Sequence, residues 1–168
     1  MIVGVVSDTH MPARARKLPS ALVEGLKGAD LILHAGDWVS SDVCEELAQL
    51  APIEGVYGNG DGGDIVSRFG ARKTLDLDGV RVGLVHGHEG PGRTTPERAL
   101  FAFREELPPD VIVFGHSHVP LLEQVGGTTL FNPGSPTDKR RQPLYSYGIL
   151  TIRGGTFTAE HRFFADRD

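Results

Sequence analysis

Five apolar runs of strand length each stop abruptly at an aspartate, an asparagine or a histidine, and that repeated ending constrains the chain more than any other feature. Ile2 to Val6 runs into Ser7-Asp8-Thr9-His10, and Leu31 to Leu33 into His34-Ala35-Gly36-Asp37. Ile53 to Tyr57 opens onto Gly58-Asn59-Gly60-Asp61, Val80 to Val85 onto His86-Gly87-His88, and Asp110 to Phe114 onto Gly115-His116-Ser117-His118. A buried strand has no packing reason to end on a carboxylate or an imidazole. An α/β fold does have a reason, because its sites lie beyond the C-terminal edges of parallel strands. A single such ending reads as an ordinary turn; five of them point to one shared site.

The intervening segments supply helices and hairpins. Ser20 is placed to cap a helix to about Leu26 that ends at Gly28, and Ser40 or Ser41 caps another through Leu50, which Pro52 stops. Asp42, Glu45 and Glu46 fall in the early turns of that helix, where its dipole favours them. Beyond Gly63 the spacing changes. Asp78-Gly79, Gly126-Gly127 and Gly154-Gly155 each sit between two strand-like runs as hairpin turns, and Thr95-Pro96-Glu97 opens a helix to about Leu107. Met11–Pro19, Gly87–Pro96 and Ser135–Pro143 read as loops. Strand–helix alternation followed by hairpins predicts an α/β chain: two mixed β-sheets packed face to face with helices outside, in one domain spanning residues 1–168.

Composition narrows the class. A hydrophobic content of 39% with 23% charged residues is that of an ordinary globular protein. The net charge of −5 disfavours general affinity for nucleic acid or anionic membranes, while leaving a polyanion free to bind locally. The single Cys44 rules out an internal disulfide and a thiolate metal cage, and its neighbours Glu45, Glu46 and Leu47 make it a helix residue without chemistry. No run approaches ~18 apolar residues, so no membrane span is expected. No basic, cleavable leader is visible at the N-terminus, and the expected location is the cytoplasm. Self-association into a homo-oligomer is compatible with the sequence.

Imidazole, carboxylate and amide oxygens together suit Mn, Fe, Zn or Ni, and the absence of thiolate argues against a structural zinc site. Asp37 carries two oxygens and can hold one cation with each. Two divalent cations ~3.5–4 Å apart clamp a phosphate and lower the pKa of a bridging water, so that hydroxide is available at neutral pH to attack phosphorus in line.

Asp-Thr-His, Gly-Asp, Gly-Asn, His-Gly-His and Gly-His-Ser-His, in this order, resemble the calcineurin-like metallophosphoesterase superfamily. With Asn132-Pro133-Gly134-Ser135 near the end, the order and size are similar to its compact prokaryotic phosphodiesterase branch, which also gave rise to a eukaryotic retromer scaffold subunit. The resemblance covers essentially the whole chain. It implies an α/β/β/α sandwich, and one metal held by Asp8, His10 and His118. It implies a second metal held by Asn59, His86 and His116, with Asp37 bridging both. Manganese is the expected ion, with Fe, Zn or Ni as substitutes.

One position departs from the pattern. Many members carry a histidine directly after the asparagine, proposed as a general acid; here it is Gly60. That loss favours esters with good leaving groups and makes His88 the nearest replacement as acid or substrate contact. Asp61 is expected to hydrogen-bond a ligand. His34 is read as structural and His161 as a surface residue. Trp38 is placed either to stack on a base or to shield the metals. Arg14, Arg16, Lys17 and Arg93 are candidates for binding a phosphate substrate, and Lys139, Arg140 and Arg141 for a polyanion. The expected activity is metal-dependent hydrolysis of a small phosphodiester. A phosphomonoesterase or nucleotidase with the same site is the alternative, and a non-catalytic scaffold, which would erode the ligands, is the third reading.

Overall fold

The computed structural model describes residues 1–168. Its elements run β1 (Ile2–Val6), α1 (Ser20–Leu26), β2 (Leu31–His34), α2 (Ser41–Ala48), β3 (Ile53–Gly55), α3 (Gly63–Phe69) and β4 (Arg72–Leu77). They continue as β5 (Val80–Val85), α4 (Thr95–Ala102), β6 (Val111–Val113), β7 (Leu121–Val125), β8 (Thr128–Asn132), β9 (Tyr145–Arg153) and β10 (Thr156–Phe164). Two five-stranded sheets result, ordered β10-β9-β1-β2-β3 and β4-β5-β6-β8-β7. In the first, β1, β2 and β3 are parallel, with β9 antiparallel against β1 and β10 antiparallel against β9. In the second, β5, β6 and β8 are parallel and the edges β4 and β7 are antiparallel.

The two-residue period of a strand decides the layering. Val3 and Val5 of β1, Leu31 and Leu33 of β2, and Val111 and Val113 of β6 face one another in the core between the sheets. The alternate residue Ile32 faces outward into a second cluster with Leu22 and Leu26 of α1 and Val43 and Leu47 of α2. On the far side, Ile112 and Leu130 pack under Ala99 and Phe103. Helix, sheet, sheet and helix therefore stack as four layers. Strands buried on both faces must be apolar throughout, which is why β1, β2 and β6 read as unbroken apolar runs.

Several local expectations change. Ser20 is the first helical residue and Pro19 holds the cap position, with the Ser20 hydroxyl turned to Asp168 instead. Helix α3 was not expected: behind the Gly62-Gly63 loop signal, Ile65 and Phe69 lie four apart and are enough to anchor one short helix face. Helix α4 stops at Ala102 rather than near Leu107, and the chain passes into tight turns in which the amides of Arg104 and Glu106 bond carbonyls three residues back. Leu107 is 69% exposed, so no apolar contact draws that segment on as helix. His161 is not a free surface residue: half-buried, it donates from Nε2 to the Asn132 carbonyl at 2.7 Å and its ring lies against Phe131.

Trp38 takes neither role expected of it. It is wholly buried, its ring stacked between His34 at 3.8 Å and Phe69 at 4.5 Å, and its Nε1–H donates to the Val56 carbonyl at 2.8 Å. It touches no solvent through which a substrate base could reach it. Trp38→Ala should cost about 3–5 kcal/mol of stability, the range for a large aromatic removed from a packed core. A urea-unfolding midpoint within error of the parent protein would show that the cluster tolerates its loss.

Candidate metal centre

The parallel strands of both sheets end at one edge, and the polar endings meet there. Asp8 and His10 follow β1, Asp37 follows β2, Asn59 follows β3, His86 follows β5, and His116 and His118 follow β6. Five of these seven hold left-handed backbone conformations: Asp8 (φ 57°), His10 (44°), Asp37 (59°), His116 (71°) and His118 (63°). Such conformations cost a non-glycine residue about 1–3 kcal/mol each and persist where the surroundings impose them, as at functional sites. Each sharp turn re-aims its side chain from the sheet plane into the common edge.

Two groups of donor atoms form. Asp8, His10 and His118 offer atoms within 4.8 Å of one another, and so do Asp37, His86 and His116. Asp37 joins the groups: its Oδ2 lies 3.3 Å from His10 Nε2 and 3.3 Å from His86 Nε2. Asn59 Oδ1 completes the second group, 3.1 Å from both His86 Nε2 and His116 Nδ1. All seven residues expected as ligands are thus brought together.

The hydrogen bonds on the outer ring nitrogens fix which way the lone pairs face. His86 Nδ1 lies 2.7 Å from the Ala35 carbonyl and His118 Nδ1 2.5 Å from the Asp138 carbonyl. A carbonyl only accepts, so these nitrogens carry protons, and in the neutral form of each ring the Nε2 lone pair is the one turned into the cluster. There His118 Nε2 meets Asp8 Oδ1 at 3.6 Å, and His86 Nε2 faces oxygens of Asp37, Asn59 and Asp8. Asp8 Oδ1, His10 Nε2 and His118 Nε2 are buried without any hydrogen-bond partner. Buried polar atoms are nearly always satisfied, and lone pairs that converge on oxygens call for a cation between them. The donor set fits divalent metal ions.

Charge responds in the same sense. Burial would raise the Asp8 carboxyl, but His10, the charges of His86 and His118, and the Ser7 hydroxyl hold it below its ordinary value. Asp37, with burial opposing but His10 and His86 beside it, is pushed well below the usual carboxylate range. Burial opposes charge on His10, yet the Asp37 and Asp8 carboxylates hold it up at about 9. His86 is raised, against burial, by Asp37 and Asp8. His34, buried against the centre without a carboxylate partner, is pushed down to about 3. Its Nδ1 accepts the Gly36 N–H at 3.1 Å, and its other nitrogen meets the Thr9 hydroxyl. It is a neutral structural ring.

Glycines sit where the clusters close. A side chain at Gly58 would strike Asp37 Oδ1 and approach within 2.8 Å of His86 Nε2, and one at Gly115 would strike the Ser7 hydroxyl and lie 2.7 Å from Asp8 Oδ2. Gly60 donates its N–H to Asp37 Oδ1 at 2.8 Å and leaves that flank of the centre open.

Asp61 does not face the clusters. Its Oδ2 accepts the backbone N–H of Asp37 at 2.8 Å, of Gly58 at 2.9 Å and of Trp38 at 3.4 Å, and its Oδ1 that of Val39 at 2.8 Å. His88 lies beside the second group, its ring 5.3 Å from that of His86 and 6.3 Å from that of His116. Its Nε2 is 3.2 Å from Glu89 and its Nδ1 is buried without a partner. Arg14 borders the site through Asp138, whereas Arg93 uses its amide to close the α4 turn with Glu97.

Residues without a strand-end signature also shape the site. Ser7 donates to Asp8 Oδ2 at 2.8 Å, Ser135 to the Asp8 carbonyl at 2.8 Å and Thr137 to the Thr9 carbonyl at 2.6 Å, while Asp138 accepts from His118. The Asn132-Pro133-Gly134-Ser135 run was the one sequence signal near them.

Residues 1–155 match the model of the calcineurin-like phosphoesterase superfamily domain. A probable metallophosphoesterase of Methanothermobacter thermautotrophicus is 40% identical over 164 residues, covering 95% of this chain and 91% of that protein. The structure of a novel archaeal phosphodiesterase superposes with a TM-score of 0.70 at 25% identity, over 96% of this chain and all of that one. Vps29 of Entamoeba histolytica complexed with Zn2+ shares the fold, with a TM-score of 0.77 at 24% identity over 97% of this chain and 99% of that chain. The chain belongs to the calcineurin-like phosphoesterase superfamily, in its compact branch related to Vps29.

Proposed function

We propose that the protein hydrolyses phosphodiesters at a pair of divalent cations, with manganese as the working ion. One cation is held by Asp8, His10 and His118, the other by Asn59, His86 and His116, and Asp37 bridges them. The observation that carries this reading is the convergence of three buried, unpartnered donor atoms on Asp8, His10 and His118 beside a second group that shares Asp37. The phosphodiesterase among the structural relatives supports the diester assignment. A scaffold role predicts eroded ligands, and all seven are intact.

Bound there, the cations would make a nucleophile available from water at neutral pH and neutralise charge on the phosphate oxygens. The chain does the rest. Asp8 and Asp37 supply the anionic charge that holds the pair, and the Ala35 and Asp138 carbonyls keep His86 and His118 in the ligating tautomer. Gly60 has no side chain to act as an acid, so the leaving group must depart as a stable anion or meet His88, a ring beside the second group.

The decisive experiment compares an aryl phosphodiester with its monoester on chelator-stripped protein refilled with Mn. Diester turnover that requires the metal is expected. Turnover of the monoester alone would replace the diester reading with a phosphatase.

Cation uptake should also depend on pH with a definite sign. Free His10 holds its proton up to about pH 9, and a ligating imidazole must be neutral, so binding expels that proton. Apparent affinity should rise by up to about tenfold per pH unit towards pH 9 and level off above it. Calorimetry in buffers of different ionisation enthalpy reads the released proton directly; uptake independent of pH between 6 and about 9 would remove His10 from the ligand set.

A further inference from the structure

Charge is segregated along the chain, and the segregated part abuts the metal centre. The loop after His10 carries Arg14, Arg16 and Lys17 and no carboxylate. The loop after Thr137 carries Lys139, Arg140 and Arg141 against Asp138, and the final residues add Arg167 with Asp166 and Asp168. Seven cations against three carboxylates leave this region at +4, so the remainder of a chain of net charge −5 stands at −9. The overall acidity conceals a basic rim.

The rim is tied to the site. Arg14 Nε lies 3.4 Å and Arg140 Nε 3.9 Å from the same Asp138 oxygen, which quenches that carboxylate, while the Asp138 carbonyl holds His118. Thr137 bonds the Thr9 carbonyl, and the Arg167 guanidinium bonds the carbonyls of Arg14 and Thr137. The backbones are therefore fixed against Asp8–His10 while Arg16, Lys17 and Arg141 remain exposed. An open groove of about 550 Å³ runs between the first loop and the C-terminal residues, lined by Pro12, Arg14, Arg16, Lys17, Arg167 and the carboxylate Asp168, and Pro12 lies two residues along the chain from His10. At its border the half-buried ring of Tyr145 lies 5.7 Å from Lys139 Nζ and 5.9 Å from the Arg167 guanidinium.

We propose that this rim holds the flanking strand of a single-stranded oligonucleotide whose terminal phosphodiester lies at the metal centre. The assignment rests on the phosphodiesterase reading and names its substrate class. A compact polyphosphate calls for cations converging on one point. Here they line an open groove and two loops with an aromatic ring among them, the combination that tracks a backbone and stacks a base.

The test measures fluorescence anisotropy of an end-labelled phosphorothioate single strand of about 12 nucleotides, which resists hydrolysis, on the full chain loaded with Mn. Affinity should fall between about 50 and 200 mM salt with a logarithmic slope of roughly −0.7 per phosphate contact. The variant Arg16→Gln/Lys17→Gln/Arg141→Gln, with its unfolding midpoint unchanged, should flatten that slope by about 2 and bind about tenfold or more weakly at the low-salt end. The control Lys27→Gln/Arg98→Gln/Arg153→Gln, which removes three cations elsewhere, should bind like the parent. Parental binding by the rim variant, or equal weakening in the control, overturns the rim. So does complete displacement of the strand by equimolar tripolyphosphate. Binding is read without turnover: a strand that binds but whose phosphodiester form is never cleaved, on protein that turns over the aryl diester, overturns the placement of its terminal phosphodiester at the metal centre. Binding with no turnover of either diester refutes the phosphodiesterase reading alone. Aryl diester turnover without strand binding refutes the rim alone.

Discussion

Asp37→Ala should strip the centre of both cations and lower kcat/KM by about 10³-fold or more, a larger effect than any other single ligand. The reason is positional. Asp37 Oδ2 is equidistant, at 3.3 Å, from His10 and His86, which belong to different donor groups. In the proposed arrangement, loss of a peripheral ligand such as His10 would leave the other cation its full set, whereas loss of Asp37 would take a donor from each and remove the negative charge between them. Charge stabilisation of this kind is the largest catalytic contribution in phosphoester chemistry, and a single preorganised group is worth about 10²–10³-fold. A group that serves both cations lies at or beyond the upper end.

Asp37→Asn separates charge from shape, because the amide oxygen still accepts the Gly60 N–H. It should keep the fold and still lose most metal. Cys44→Ser, buried in α2 away from the clusters, should change neither metal content nor turnover. Metal analysis after gel filtration decides the matter: two equivalents retained by Asp37→Ala would end the bridging assignment.

Much of this site was legible in the sequence because the physics that buries a parallel strand also makes its ending conspicuous. A run such as Ile2 to Val6 is apolar on both faces, so Asp8 and His10 stand out at once. Helix α3 was hidden because its seven residues bury only Ile65 and Phe69, too few positions to establish a period behind two glycines. Trp38 was ambiguous because adjacency to Asp37 says nothing about direction. The left-handed turn at Asp37 and Val39 points the ring back under the sheet, where His34 and Phe69 enclose it. The supports of the centre were out of reach for a different reason. Ser135 and Thr137 bond carbonyls 127 and 128 residues away, and no local pattern records such a pairing. The basic rim likewise disappears into a net charge of −5 until the fold sorts it by place.

Asp61, expected from the sequence to hydrogen-bond a ligand, meets Asp37 through the backbone: it gathers four backbone N–H groups from Asp37, Trp38, Val39 and Gly58. These groups belong to two turns, one presenting Asp37 and the other leading to Asn59, so Asp61 clamps the two turns together. Bonds to a charged acceptor are worth about 1.5–3 kcal/mol each, and when it is gone the three part-buried donors lose their partner while the exposed Val39 N–H turns to water. Asp61→Ala should therefore lose about 3–5 kcal/mol of stability. Asp61→Asn is the sharper probe. Its one carbonyl oxygen can replace Oδ2, but the amide NH2 then meets the Val39 N–H donor to donor, so it should fold with a loss of about 1–3 kcal/mol. Cation affinity should fall by about 10–100-fold, the effect of releasing the partner that orients a ligand. A positioning role makes a specific prediction: at saturating Mn, most of the kcat of Asp61→Asn should return, with the pH profile of the parent. If kcat stays low when both sites are full, Asp61 acts on the reacting atoms and its four backbone bonds are incidental to its role.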